Sequence, residues 1–148
     1  MTKPARLFFS KEEKEDIVQA VKNAELDTSG EIRVHIENKF KGDAKDGAAS
    51  VFKKLGMHKT ELRNGVLFYL ALGNRKFAIL GDAGINKVVP DNFWDDIRDT
   101  MLNYFREDHF AEGLIEGITL AGKQLKKHFP YQKDDINELP DDISFGDK

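Results

Sequence analysis

Residues 66–72 read Val-Leu-Phe-Tyr-Leu-Ala-Leu, seven apolar side chains in succession. A strand with one wet face, or a surface helix, would interrupt such a run with polar residues, so this segment is expected as a central strand covered on both sides. Gly73-Asn74 then predicts a tight turn, and residues 76–80 a returning antiparallel strand. A strand buried on two faces needs helices on both, and the rest of the chain supplies them.

Ser10-Lys11-Glu12-Glu13 is a capping box, in which the Ser10 hydroxyl and the Glu13 carboxylate each take an orphan backbone N–H at a helix start. Ile17, Val18, Val21 and Ala24 continue at helical spacing. Asp27-Thr28-Ser29-Gly30 predicts a turn, and residues 31–37 a strand with Ile32, Val34 and Ile36 on one face and Arg33 and His35 on the other. Residues 44–55 read as a helix that turns Ala48, Val51, Phe52 and Leu55 inward and stops at Gly56. Two further helices are expected over residues 91–106 and 110–129, the second ended by Pro130.

The fold class that follows is α/β: a three-layer α/β/α sandwich around a small mixed sheet. A parallel crossover joins the first two strands, and a hairpin joins the second and third. At 148 residues one core suffices, and the expected division is a domain over residues 1–130 with an acidic tail over 131–148. From Pro130 on, the chain holds six acids and two lysines. It is expected to be a mostly extended or mobile tail, although Ile136, Leu139, Ile143 and Phe145 could dock on the domain. This topology places the start of the first strand, the start of the second and the exit of the third at one sheet edge. Ser29, Gly30 and Glu31 therefore fall near Arg63, Asn64 and Asp82, with Asp91 a short loop away.

Several chemistries drop out. The chain has no cysteine, which removes disulfides, thiolate zinc sites and cysteine nucleophiles. A net charge of −3 makes no electrostatic case for nucleic acid. No run approaches the length of a membrane span, and residues 1–9 are too short and weakly apolar for a signal peptide, so the expected location is cytoplasmic, without membrane insertion. Gly117 to Lys123 spells G-x-x-x-x-G-K, but inside a helical apolar pattern and without the following hydroxyl; close helix packing is the better reading. The four histidines are scattered, and no G-x-S-x-G elbow anchors serine-hydrolase chemistry. Asp43-x-x-Asp46-Gly47 lacks the spacing of a calcium loop of the EF-hand type.

What remains is carboxylates gathered at one edge: Glu31, Asp82 and Asp91, with Asp95 and Asp108 as outer candidates. Hard cations take oxygen ligands, and converging carboxylates repel one another unless a cation lies between them. The same positions also read more simply, with Asp91 as a helix cap and Glu31 as a solvated strand end.

The sequence resembles a TPM domain, the family shared by a thylakoid lumen protein, a photosystem II repair protein and a receptor modulator. The resemblance lies in Thr28-Ser29-Gly30-Glu31-Ile32-Arg33-Val34, Arg63-Asn64-Gly65-Val66-Leu67, Arg75-Lys76-Phe77-Ala78-Ile79, Gly81-Asp82-Ala83-Gly84-Ile85 and Phe105-Arg106-Glu107-Asp108-His109-Phe110. It spans roughly residues 10–130, and it is similar to stand-alone bacterial members. It implies an α/β/α sandwich, binding of Ca²⁺ or Mg²⁺ by acidic residues and, in some members, acid phosphatase activity. Carried onto this chain, the metal positions are Glu31, Asp82, Asp91 and Asp108. One departure stands out: many members carry G-Y-G-L-E where this chain has Gly81-Asp82-Ala83-Gly84-Ile85-Asn86, so Asn86 replaces an acid and Asp82 brings one earlier.

The expected function is divalent-cation binding by a non-catalytic binding or regulatory module. The alternatives are a metal-dependent acid phosphatase acting on phosphomonoesters, with Arg63 or Arg33 stabilising phosphate charge, and an interaction scaffold whose acidic tail meets a protein partner. Catalysis is disfavoured because no positioned nucleophile is evident in the sequence.

Overall fold

The computed structural model describes residues 5–131 and 139–146. A short helix α1 (Ala5–Phe8) precedes α2 (Lys11–Glu25), which opens on the expected capping box: Ser10 accepts from the Glu13 N–H at 3.0 Å and Glu13 returns the bond at 2.9 Å. Then follow β1 (Glu31–Glu37), α3 (Ala44–Lys54), β2 (Gly65–Ala71), β3 (Lys76–Gly81), α4 (Ala83–Asn86), α5 (Asp95–Arg106), α6 (Phe110–Leu125) and β4 (Ser144–Phe145).

The sheet runs β3-β2-β1-β4. β1 and β2 are parallel with Glu31 opposite Gly65, and β2 and β3 antiparallel with Val66 opposite Gly81. The three strand ends thus meet at one edge, as the crossover and hairpin require. Every residue of β2 is buried. Alternation divides β2 between two cores: Val66, Phe68 and Leu70 face α2, α5 and α6 together with Ile32, Val34 and Ile36, while Leu67, Tyr69 and Ala71 face α3. This is the sandwich the apolar run demands.

The glycines of the G-x-x-x-x-G-K segment sit inside α6. A Cβ on Gly117 would come within 2.5 Å of the Met101 sulfur, and one on Gly122 within 2.8 Å of Ala24, so these positions let α6 lie close against α5 and α2. They hold helices together and form no phosphate loop.

Four expectations need correction. The sequence gives no sign of α1, yet Ala5 is only 2% exposed. α5 begins at Asp95 and not at Asp91, because residues 90–94 close turns of their own, Phe93 N–H to Pro90 and Asp95 N–H to Asn92; Asp91 is exposed and does not cap α5. The stretch after β3 holds a one-turn helix, α4. α6 ends at Leu125, and residues 126–129 wind down through tight turns, since the residue before Pro130 is pushed out of helical geometry.

Residues 139–146 lie on the domain. Leu139 is buried against the α3 core, Ile143 and Phe145 pack on the larger core, and β4 adds a parallel strand beside His35 and Ile36. Ile136 lies outside the described residues. No helix among the described residues is long and apolar enough to cross a membrane.

Leu139 gives a direct measure of how firmly this segment is docked. Leu139→Ala should lower unfolding stability by about 2 kcal/mol in urea denaturation, the low end for a buried leucine because the site borders solvent. A loss within error of zero would mean that the segment detaches without cost to the core.

Candidate metal-binding edge

Among the described residues β4 pairs with His35 and Ile36 of β1, and no strand pairs with the outer side of its first half. Side chains cover it. Glu25, at the last turn of α2, reaches across so that Oε2 accepts the Ile32 N–H at 3.2 Å. Glu31, only 4% exposed, accepts the Leu139 N–H on Oε1 at 3.2 Å and so pins the incoming C-terminal segment. That segment then sets Asp141 against Glu25, carboxyl to carboxyl, in hydrogen-bonding contact.

Two carboxyl groups can share a hydrogen bond only if one keeps its proton. Burial is the largest influence on Glu25, and the Asp141 hydrogen bond and charge add to it. The Glu31 charge acts in the same direction, and together they push the Glu25 carboxyl up to about 9 against the opposing pull of the Ile32 N–H. At neutral pH Glu25 is therefore the protonated donor. Arg33, two residues along β1 from Glu31, is partly desolvated, which lowers its pKa, while the Asp142 charge supports its cationic form.

The sequence candidates are distributed differently. Glu31 and Asp82 do share the expected edge: the Glu31 N–H bonds to Asn64 O at 3.1 Å, the Asp82 N–H to Gly65 O at 2.9 Å, and the Asn64 side chain to Ser29 O at 2.9 Å. The Asp82 carboxylate is already engaged, however. Arg63 donates Nε to Oδ2 at 2.8 Å and Nη2 to Oδ1 at 2.9 Å, and the Ala83 N–H caps onto Oδ1 at 2.7 Å. Asp91 is exposed on the loop beyond α4. Asp95 takes Arg98 of its own helix at 2.7 Å. Asp108, at positive φ between α5 and α6, lies 3.4 Å from Arg75 beside the β2–β3 turn, at the opposite end of the sheet. Asn86 donates to Gly81 O at 3.0 Å, a bond that an ionised carboxylate in its place could not make.

Among the described residues no three His, Asp or Glu side chains stand at coordination spacing around one point. The nearest approach to a hard-cation donor set is the Glu25–Asp141 pair, with Glu31 acting on it through its charge. Two of these three residues escape sequence reasoning. Glu25 reads as an ordinary helix end, and Asp141 is placed only once the tail returns as a strand. The available signal is slight: Pro140, which within a sheet is confined to edges, followed by Ile143-x-Phe145.

Solved structures with the same fold include the following three. The BA42 protein of the psychrophilic bacterium Bizionia argentinensis is 48% identical with a TM-score of 0.91, the alignment covering 99% of this chain and 100% of that one. The N-terminal domain of a P. gingivalis protein is 21% identical with a TM-score of 0.69 over 85% of this chain and 83% of that one. The N-terminal domain of the cg2496 protein of Corynebacterium glutamicum is 13% identical with a TM-score of 0.62, over 92% of this chain and 80% of that one. The last two likenesses show the fold alone. No match is found among curated proteins. The TPM domain profile matches residues 4–124, most of the folded core just described, and the chain belongs to the TPM domain family.

Proposed function

We propose that this TPM domain binds a divalent cation, Ca²⁺ or Mg²⁺, at the Glu25–Asp141 pair under the charge of Glu31, and that it serves as a binding or regulatory module. The observation that carries the reading is the carboxyl–carboxyl contact. A pair that must retain a proton to coexist gains when a cation takes the proton's place, and an oxygen-only donor set suits a hard cation. The remaining coordination positions fall to water and backbone carbonyls, which such ions accept readily. The wider set of Glu31, Asp82, Asp91 and Asp108 fits less well, because the guanidinium of Arg63 already neutralises Asp82 and Asp108 is at the far end of the sheet. The same bond weighs against a phosphatase that would use Arg63, one of the two candidate arginines, since that guanidinium is committed to Asp82.

Calorimetric titration and amide NMR with Ca²⁺ and Mg²⁺ test the assignment. Amides at 25, 31–33 and 139–142 should respond, and Glu25→Gln or Asp141→Asn should weaken binding by roughly tenfold or more. Asp82→Asn should instead lower the melting temperature, through loss of the Arg63 pair, and leave cation affinity unchanged. Responses centred on 82–91 in the parent, removed by Asp82→Asn, would move the site to the β3–α4 loop.

A pH dependence follows with a definite sign. Between the ordinary glutamate value of 4.5 and about 9, the folded chain holds a proton on Glu25 that the unfolded chain has released. Stability from this group is therefore full below the lower value and falls as pH rises toward the upper one. Thermal unfolding in chelator should show a decline from pH 5 to pH 9 that Glu25→Gln flattens. Saturating cation should flatten it too, by displacing the proton. A slope identical in parent and Glu25→Gln would detach the effect from this pair.

A further inference from the structure

The opposite half of β1 carries a second constellation, independent of the cation reading. His35 is 5% exposed, on the α3 side of the sheet, and both of its ring nitrogens are engaged. Nδ1 lies 2.9 Å from the Ser144 hydroxyl on β4, and Nε2 lies 2.9 Å from Glu37 Oε1. The other Glu37 oxygen accepts the Tyr69 hydroxyl at 3.1 Å, and the Tyr69 ring stacks on the imidazole at 5.8 Å and 7°. An ionised carboxylate only accepts hydrogen bonds, so Nε2 must carry the ring proton. Nδ1 then presents its lone pair to Ser144, whose hydroxyl donates to it. The chain Ser144–His35–Glu37 is thus ordered as nucleophile, base and orienting acid, with Tyr69 holding the acid in place.

A buried histidine satisfied by its neighbours is common, and two further facts set this one apart. First, the array is accessible: a cavity of about 560 Å³ is lined by His35, Glu37, Ser144, Lys54, Lys39 and Gly146. Second, the imidazole is held neutral. Burial is the main cause, the positive charges of Lys54 and Arg33 assist, and the Glu37 hydrogen bond and charge oppose without prevailing, so the pKa lies below the ordinary 6.5. The groups facing the ring are therefore Arg33 and Glu37 on β1, Lys54 on α3, Tyr69 on β2 and Ser144 on β4. A neutral imidazole is what a general base at pH 7 requires. Lys54, at the end of α3, brings a positive charge to the lining of the same cavity.

We propose that this cavity is an acyl-transfer site for small polar carboxylic esters, with Ser144 as nucleophile, His35 as general base and Glu37 as the residue that positions it. Ser144 Oγ forms a bond to the ester carbonyl carbon as its proton passes to His35 Nδ1. The tetrahedral oxyanion collapses, the acyl C–O bond breaks, and the leaving alcohol takes the proton from Nδ1. A water oxygen then bonds to the acyl carbon as its proton passes to the same nitrogen, the acyl–Oγ bond breaks, Ser144 Oγ takes that proton back, and the carboxylic acid leaves.

The test uses the full chain with p-nitrophenyl acetate and peptide mapping of the acyl adduct. Acetylation should map to Ser144, disappear in Ser144→Ala, and slow by about 10²-fold in His35→Gln. Glu37→Gln should slow it as well, because an amide that donates to Nε2 reverses the tautomer and removes the base. Since the chain has no cysteine, Ser144→Cys supplies a single thiol whose alkylation can be followed against pH. With His35 present, that thiolate should form well below the ordinary value of about 8.5, and Ser144→Cys/His35→Gln should return to that value. Acetylation confined to lysines, or a Ser144→Cys alkylation profile that His35→Gln does not move, overturns the proposal. Should His35→Gln fail to fold, the Ser144→Cys profile alone decides, an ordinary thiol profile counting against the site.

Discussion

The outer edge of β1 is the place where this fold has to solve a problem, and most of its distinctive chemistry follows from the solution. Strand edges carry backbone donors and acceptors that need partners or water. Here the inner edge of β1 is paired along its whole length with β2, while the outer edge is closed piecemeal: by the Glu25 carboxyl at Ile32 and by β4 at His35 and Ile36. Closing an edge with carboxylates is electrostatically unfavourable, and the strain is visible as the proton retained by Glu25. The same closure delivers Asp141 to one end of the strand and Ser144 to the other.

The layered core was legible in the sequence because it rests on periodicity. Seven apolar residues in a row leave little choice but a strand covered on both faces, and the capping box at Ser10 fixed α2 to the residue. The shared edge of Glu31, Asn64 and Asp82 was legible too, since a crossover followed by a hairpin determines which strand ends meet. What escaped was set by contacts distant in sequence. Nothing local to Asp82 announces that Arg63 will hold both of its oxygens, and nothing local to Asp108 says that its loop meets Arg75 at the far end of the sheet. His35 looks like an isolated histidine for the same reason: one of its partners stands 109 residues later, on a strand of two residues. Strands that short carry almost no pattern of their own and exist because a neighbouring edge supplies their bonds.

The α3 face of β1 shows how one strand holds opposite demands. Glu31, Arg33, His35 and Glu37 alternate along it, each partly or wholly withdrawn from water. Buried ionisable groups are tolerated when each meets a partner. Glu31 has the Leu139 N–H, His35 has Ser144 and Glu37, and Glu37 has Tyr69 in addition. These partners come from the C-terminal segment, from β2 and from β1 itself. The polar face of β1 is therefore completed by residues from the far end of the domain, and its ionisation states depend on that segment being in place.

That dependence has a consequence during synthesis. Residues 139–146 leave the ribosome after all of the helices and the first three strands, so the outer edge of β1 is made before the strand that closes its second half. A bare strand edge beside a finished sheet is a template for any extended chain, including that of a neighbouring nascent copy. Glu25 and Glu31 stand at that edge, and acidic side chains on an edge strand discourage such pairing. In this light the carboxylates that strain the edge in the finished protein act as its guard while the protein is being made.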